Sequence, residues 1–310
     1  MSKTALLFAG QGAQTVGMGK DFAGQFPAAR ELFGRADSAL GYPLSHLCFE
    51  GPEAELTRTE NAQPAIFLMG WVAFELLRQE VHGLRFEATA GLSLGEFTAL
   101  AAAGAMSFED GLRITRLRGR FMQEACEATR GSMAAIINLD EGPTRDVCAE
   151  AGVELANLNC PGQLVISGEA TAIAKACELA KARGAKRALP LAVAGAYHSR
   201  LMGSAQAKLA AELSGATVIS PSVTVVSNVT ARPHEDPTSI KDLLVQQVCA
   251  PVRWEASIRW LLEQGYTRFI ELGPGRALAG FMKRIAPEVL TLSVGDVPTL
   301  QAAVAVLQTR

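Results

Sequence analysis

An α/β fold, in which a discontinuous parallel-sheet domain encloses a smaller inserted one, is predicted by three observations. Apolar runs bounded by glycine or proline alternate with helical patterns towards both ends of the chain, the rhythm of a parallel sheet with crossover helices. Between residues 131 and 193 that rhythm changes to strand, helix, strand, strand, helix, strand, the βαββαβ order of a ferredoxin-like unit. A serine also stands between glycines in Gly91-Leu92-Ser93-Leu94-Gly95, where a strand gives way to a helix.

In chain order, "TALLFAG" reads as the first strand, residues 18–40 as an amphipathic helical stretch, "EATAGLS" as the second strand and 95–103 as a packed, alanine-rich helix. The helix "GLRITRLRGRFMQEAC" follows. The inserted unit supplies "SMAAIINL", a helix over 142–151, "VELANLN", "QLVISG", a helix over 170–183 and "RALPLAV". The α/β pattern then resumes with "TVVSNVT", helices over 238–247 and 253–264, "TRFIELG", and a last strand and helix. The larger domain is therefore read as 1–127 plus 194–310, with 128–193 as the insert.

Composition narrows the function classes. The chain's 310 residues, 49% hydrophobic and 19% charged, suffice for a large buried core. A formal charge of −2 gives no global field for nucleic acid or anionic membrane, so neither is an expected partner. The N-terminal apolar run breaks at Gly10 and Gln11, too early for a signal-peptide core, and no stretch reaches the roughly 18 apolar residues of a membrane span. A cytoplasmic monomer is expected. Cys48, Cys126, Cys148, Cys160, Cys177 and Cys249 follow no ligand spacing, and no histidine lies within a helical turn of another. Reduced thiols and no metal are the expectation.

The pattern G-x-S-x-G is the nucleophile elbow, a sharp strand-to-helix turn that projects the serine from the sheet edge and makes the larger domain hydrolase-like. Its glycines make room for the crowded turn. Ser93 would lie at a helix N-terminus, whose free N–H groups favour negative charge developing on an acyl oxygen. The bland alternative is a serine that merely caps the helix.

A serine nucleophile needs a base. His46 and His82 sit in segments that read as exposed, and His234, in "TARPHEDP", reads as a solvated loop residue. His198, in "AVAGAYHSRLM" after the last strand of the insert, is the better candidate, against a merely packed or capping role. At 100° per residue, Ile114, Leu117, Phe121, Met122 and Ala125 share one helical arc, with Arg113, Arg116 and Arg120 opposite. Arg118 falls inside the apolar arc. A buried guanidinium must find an anion or acceptors, either a structural salt bridge or a substrate carboxylate, which its fork suits. The loop "FAGQGAQ" after the first strand can hold an oxyanion or phosphate, but is neither a Walker nor a dinucleotide fingerprint.

Together these residues resemble one family: the malonyl-CoA:acyl-carrier-protein transacylases and the acyltransferase domains of fatty-acid and polyketide synthases. The marks are "GQGAQ" at 10–14, "GLSLGE" at 91–96, "RLRGRFMQEA" at 116–125, "NLNCPGQLVISG" at 157–168, "AYHS" at 196–199, "SNVTA" at 227–231, "QVCAPVRW" at 247–254 and "ELGPGRAL" at 271–278. They span nearly the whole chain, in the family's order. The resemblance implies Ser93 as acylated nucleophile and His198 as general base and acid. It also implies an oxyanion hole from the Gln11 and Leu94 N–H groups, a main-chain carbonyl at Gln247 orienting His198, and Arg118 on the malonyl carboxylate. Asn159 should line the cleft.

The family usually has histidine before the nucleophile, where this chain has Leu92, and Tyr197 beside His198 also departs from commoner forms. Both bear on the wall of the acyl pocket, and Tyr197 is expected to narrow it against branched acyl groups. The implied partners are malonyl-CoA and an acyl carrier protein that brings the phosphopantetheine; no further cofactor is expected. Basic clusters at Lys181, Arg183, Lys186 and Arg187, and at Lys283 and Arg284, are expected to flank the cleft for the carrier. Two rival readings remain open on the residues alone. One is a hydrolase, with Asp140 or Asp146 as third member or a patatin-like pairing of Ser93 with Asp110; the other is a carrier-binding protein that has lost its chemistry.

Overall fold

The computed structural model describes residues 3–308. Its larger domain is built on β1 (Lys3–Phe8), β2 (Ala88–Gly91), β7 (Thr224–Val226), β8 (Tyr266–Leu272) and β9 (Leu290–Val294), and the insert on β3 (Gly131–Ile137), β4 (Glu154–Cys160), β5 (Gln163–Glu169) and β6 (Arg187–Pro190). The helices are α1 (Lys20–Gln25), α2 (Pro27–Leu40), α3 (Leu44–Glu50), α4 (Glu53–Thr57), α5 (Thr59–Glu80), α6 (Gly95–Ala102), α7 (Phe108–Ala128), α8 (Glu141–Ala151), α9 (Ala170–Ala182), α10 (Gly203–Gly215), α11 (Pro237–Gln247), α12 (Trp254–Glu263), α13 (Ala277–Ile285) and α14 (Val297–Gln308).

The first sheet runs β7-β2-β1-β8-β9 with every pairing parallel. Its central strand β1 is buried from Thr4 to Phe8, as expected of a strand covered by helices on both faces. The second sheet, β4-β5-β3-β6, is antiparallel. Numbered within the insert its order is 2-3-1-4, the ferredoxin-like arrangement that the βαββαβ reading anticipates. Its own core lies between the sheet and α8 and α9, around Ile136, Val147, Ile166 and Ile173.

Two local expectations need correction. The helical stretch over 18–40 is two helices broken at Phe26–Pro27, because proline at a first helical position removes a donor the previous helix would need. The long α5 has no counterpart in the sequence reading. Its residues from Ala62 to Gly70 are buried without interruption, so that stretch shows no polar face to reveal its period.

The insert is stitched to the larger domain by backbone. Leu158 N–H donates to the Val252 carbonyl at 2.9 Å and Val252 N–H to the Ala156 carbonyl at 2.8 Å, so the free edge of β4 is covered by the segment between α11 and α12. The cleft between the two sheets is thereby held by main-chain bonds.

Candidate active site

The C-terminal ends of β1 and β2 carry the site. After β2 the chain turns sharply into α6, and Ser93 at the turn has φ of 51°, a left-handed conformation that is strained for a serine. The flanking glycines are sterically required. A Cβ on Gly91 would lie 1.9 Å from the Gly95 carbonyl carbon, and one on Gly95 would lie 2.2 Å from the Phe8 carbonyl oxygen. Gly10, in the loop after β1, is equally constrained, since its Cβ would meet the Leu92 carbonyl oxygen at 2.4 Å. The β1 loop and the elbow are therefore pressed together, which sets Gln11 beside Ser93.

Asn228, just beyond β7, clamps the elbow from the other side. Its Oδ1 accepts from Ser93 N–H at 2.6 Å and its Nδ2 donates to the Gly91 carbonyl at 2.7 Å. The signal for it was the "SNVTA" motif, which the sequence reading quoted without assigning a role.

His198 lies in the segment between β6 and α10, also with positive φ, 57°. Its Nδ1–H donates to the Gln247 carbonyl at 2.8 Å, which fixes the tautomer and leaves Nε2 to accept from the Ser93 hydroxyl, also at 2.8 Å. Burial, with the Arg118 charge beside it, pulls the imidazole down to about 4, so at neutral pH it is an unprotonated base.

Arg118 is 1% exposed and has only neutral partners. Its Nη1 donates to Gln63 Oε1 at 2.7 Å, and its Nη2 to Gln247 Oε1 at 2.9 Å and to Ser93 Oγ at 3.1 Å. The arginines of α7 that do form ion pairs among the described residues are Arg113, with Asp110, and Arg120, with Glu124. Of the two sequence alternatives, the structural salt bridge is thus not formed. Burial lowers the guanidinium to about 10, opposed by the nearby Glu96 carboxylate, and it stays charged at neutral pH.

Ser93, His198, Gln11, Leu92, Asn159 and Tyr197 all line one cavity of about 530 Å³ between the two sheets. Arg118 lies behind Ser93, reaching the site through the serine oxygen. The Gln11 and Leu94 N–H groups have no acceptor among the described residues, and Asn159 Oδ1, although buried, has no donor among them. Tyr197 bonds Thr59 Oγ1 at 2.5 Å and accepts from Gln11 Nε2 at 3.2 Å; burial raises its phenol to about 12. It is held as a neutral wall residue.

His234 corrects the sequence reading. It is buried, with Nε2 2.7 Å from Glu96 Oε1, because the loop folds back so that His234 N–H reaches the Val225 carbonyl. The acids weighed as third members lie elsewhere: Asp140 stands just before α8, Asp146 lies within that helix, and Asp110 bonds Ser107 and Arg113 at the surface.

Residues 5–297 match the family model described as the acyl transferase domain. The chain belongs to the acyl transferase family. A malonyl CoA-acyl carrier protein transacylase from Bacillus subtilis is 46% identical, over 99% of this chain and 98% of the relative. Among solved acyl transferases, an acyl-carrier-protein S-malonyltransferase from Bartonella henselae superposes with a TM-score of 0.94 at 41% identity, covering 99% of both chains. The malonyl-transacylase of a complex with a type II PKS acyl-carrier protein gives 0.95 at 39% identity, covering 98% of this chain and 99% of that one.

Proposed function

We propose that this acyl transferase moves a malonyl group from malonyl-CoA, through an ester on Ser93, to the phosphopantetheine thiol of acyl carrier protein. The observation that carries the proposal is Ser93 Oγ, 2.8 Å from a neutral His198 Nε2 and 3.1 Å from Arg118 Nη2, at the floor of a cleft in a chain nearly half identical to such a transacylase.

The steps follow from this arrangement. As Ser93 Oγ attacks the thioester carbon its proton passes to His198 Nε2, and the imidazolium is steadied by the Gln247 carbonyl on Nδ1. The oxyanion is received by the unpartnered Gln11 and Leu94 N–H groups, the latter at the N-terminus of α6. Collapse breaks the C–S bond, and the CoA sulfur leaves with the His198 proton. In the second half the phosphopantetheine thiol gives its proton to His198 and attacks the acyl-serine, and Ser93 recovers its hydrogen. Arg118, bonded to neutral groups only, is the partner for the malonyl carboxylate, which would replace the Ser93 oxygen on Nη2 once that oxygen is acylated.

A hydrolase built on this elbow would put a carboxylate on His198 Nδ1; here the Gln247 carbonyl takes that place. The chemistry calls for no cofactor beyond the partner's phosphopantetheine. The cytoplasm, where coenzyme A thioesters are at hand, is the proposed setting. The test is the intact mass of the protein after exposure to malonyl-CoA: one malonyl group on the wild type, none on Ser93→Ala, and transfer of that group when holo carrier protein is added. A Ser93→Ala variant that still labels, or a wild type that releases free malonate instead, refutes the proposal.

A further inference from the structure

Glu96, in the first turn of α6, is a fully buried carboxylate that the mechanism above does not use. Its Oε1 meets His234 Nε2 at 2.7 Å, and its Oε2 accepts from Gln247 Nε2 at 2.6 Å and from Asn228 N–H at 3.1 Å. Gln247 and Asn228 are fixed donors here, since the Gln247 amide oxygen is committed to Arg118. His234 Nδ1 is buried without a partner, which an imidazole lone pair tolerates better than a charged N–H donor. The proton therefore sits on His234 Nε2, the ring is neutral, and Glu96 is an anion receiving three hydrogen bonds. Among the described residues, the cation with which this network connects it is Arg118, one side-chain amide away: Arg118 Nη2–H to Gln247 Oε1, then Gln247 Nε2–H to Glu96 Oε2.

We propose that Glu96 is a specificity-setting positioning residue, the distant counter-charge of Arg118, held off by the Gln247 amide so that the guanidinium is compensated but not occupied. A carboxylate in direct contact would fill the fork and compete with an acidic acyl group. No counter-charge at all would leave a buried cation, which costs several kcal/mol. The amide spacer avoids both. It also ties specificity to the dyad, because Gln247 offers its carbonyl to His198 and its amide to the Ser93 carbonyl at 2.9 Å. This inference rests on the malonyl reading of the site.

The charge can be removed with little change of shape. In Glu96→Gln the amide oxygen still accepts from Gln247 and Asn228, and its NH₂ donates to a His234 that moves its proton to Nδ1. With Arg118 less compensated, the preference for malonyl-CoA over acetyl-CoA, read as the ratio of kcat/KM values, should rise by roughly three- to tenfold, a modest fraction of a unit-charge interaction at a high effective dielectric constant. In an Arg118→Ala background the same substitution should leave the ratio unmoved. A role confined to packing predicts equal losses for both thioesters, and an unchanged or lower ratio in Glu96→Gln overturns the proposal. Where Glu96→Gln gives no folded protein, the charge swap Glu96→Gln with Gln247→Glu decides. It sets the anion directly on Arg118 and slows both thioesters through the lost bond to Ser93, but the malonyl-to-acetyl ratio should fall below that of the wild type; an equal or higher ratio overturns the proposal. A wild type that transfers neither acyl group refutes the functional reading itself, an outcome distinct from a wild type that transfers malonyl with a ratio indifferent to Glu96.

Discussion

The residue that sets the working pH is His198. A histidine in water titrates near 6.5, whereas burial and the Arg118 charge hold this one near 4. The rate consequence is a kcat/KM for malonyl-CoA that stays flat from neutral pH down to about 5 and falls only on an acid limb near 4. The stability consequence has the opposite origin but the same direction. Between the unfolded value of about 6.5 and the folded value of about 4, the unfolded chain binds a proton that the native state refuses. Stability contributed by the neutral imidazole is thus complete above that window and is lost as pH falls through it, on the order of 3 kcal/mol in all. Titrating kcat/KM and the urea midpoint from pH 7 to 4 checks both; an acid limb near 6.5 would mean that His198 is solvated in the free enzyme. At this scale the sequence was informative where chemistry restricts residue type: four histidines, one elbow serine and one arginine on an apolar arc left few choices. It was silent on Glu96 and misplaced His234 in solvent, because the partners of their side chains lie 132 to 151 residues away in sequence and are joined only by the fold.

At the scale of elements, the elbow is strain held in place by neighbours. Ser93 adopts positive φ because β2 must turn into α6 within a space that admits no Cβ at Gly91 or Gly95. Asn228 supplies the restraint, with one side chain bonding both sides of the turn. Asn228→Ala should leave a buried Ser93 N–H and a Gly91 carbonyl without partners, costing about 2–6 kcal/mol at roughly 1–3 kcal/mol for each unsatisfied group. Because the turn carries the nucleophile, kcat should fall at least tenfold while the KM for malonyl-CoA moves little; Asn228→Asp, which keeps the acceptor, should recover part of the rate. A variant with lowered melting temperature but unaltered kcat would show that the turn holds its own geometry. Motif and glycine spacing made the elbow legible in the sequence, as strand–helix alternation made both sheets. What stayed hidden was α5, whose stretch from Ala62 to Gly70 is buried on all sides, and the fold-back of the His234 loop. A wholly buried stretch of helix has no amphipathic period, and a polar loop shows its burial only through tertiary contacts.

At the scale of the whole molecule, the two sheets frame a cleft whose mouth must receive both a nucleotide thioester and a protein-borne one. The segment after β6 contributes Leu191, Ala192, Val193 and Ala194 to the cavity wall, and α13 contributes Ala277, Leu278 and Phe281. Of the basic clusters singled out in the sequence, the first lies where α9 ends and β6 begins and the second in the last turn of α13. Their members are not equivalent. Lys181 pairs with Glu178 and Arg183 with Glu150, and Arg284 is spent clipping α13 to the β4–β5 turn through the Pro161 carbonyl and Gln163. Lys186, Arg187 and Lys283 are exposed and take part in no ion pair among the described residues. They are the cluster members left unpaired and are expected to meet an acidic carrier protein, since the overall charge of −2 provides no steering of its own. Reversing all three to glutamate should raise the KM for carrier protein about tenfold or more, with the effect shrinking as salt is added. The KM for malonyl-CoA should stay within about twofold if, as proposed, the acyl end is read at Arg118 behind Ser93. Arg284→Ala should behave differently: loss of the clip loosens the insert against α13, so both substrates weaken together and salt has little influence. Steady-state kinetics with each substrate varied at two ionic strengths separates the cases. Equal damage to both substrates from the triple reversal would place the docking surface elsewhere on the rim.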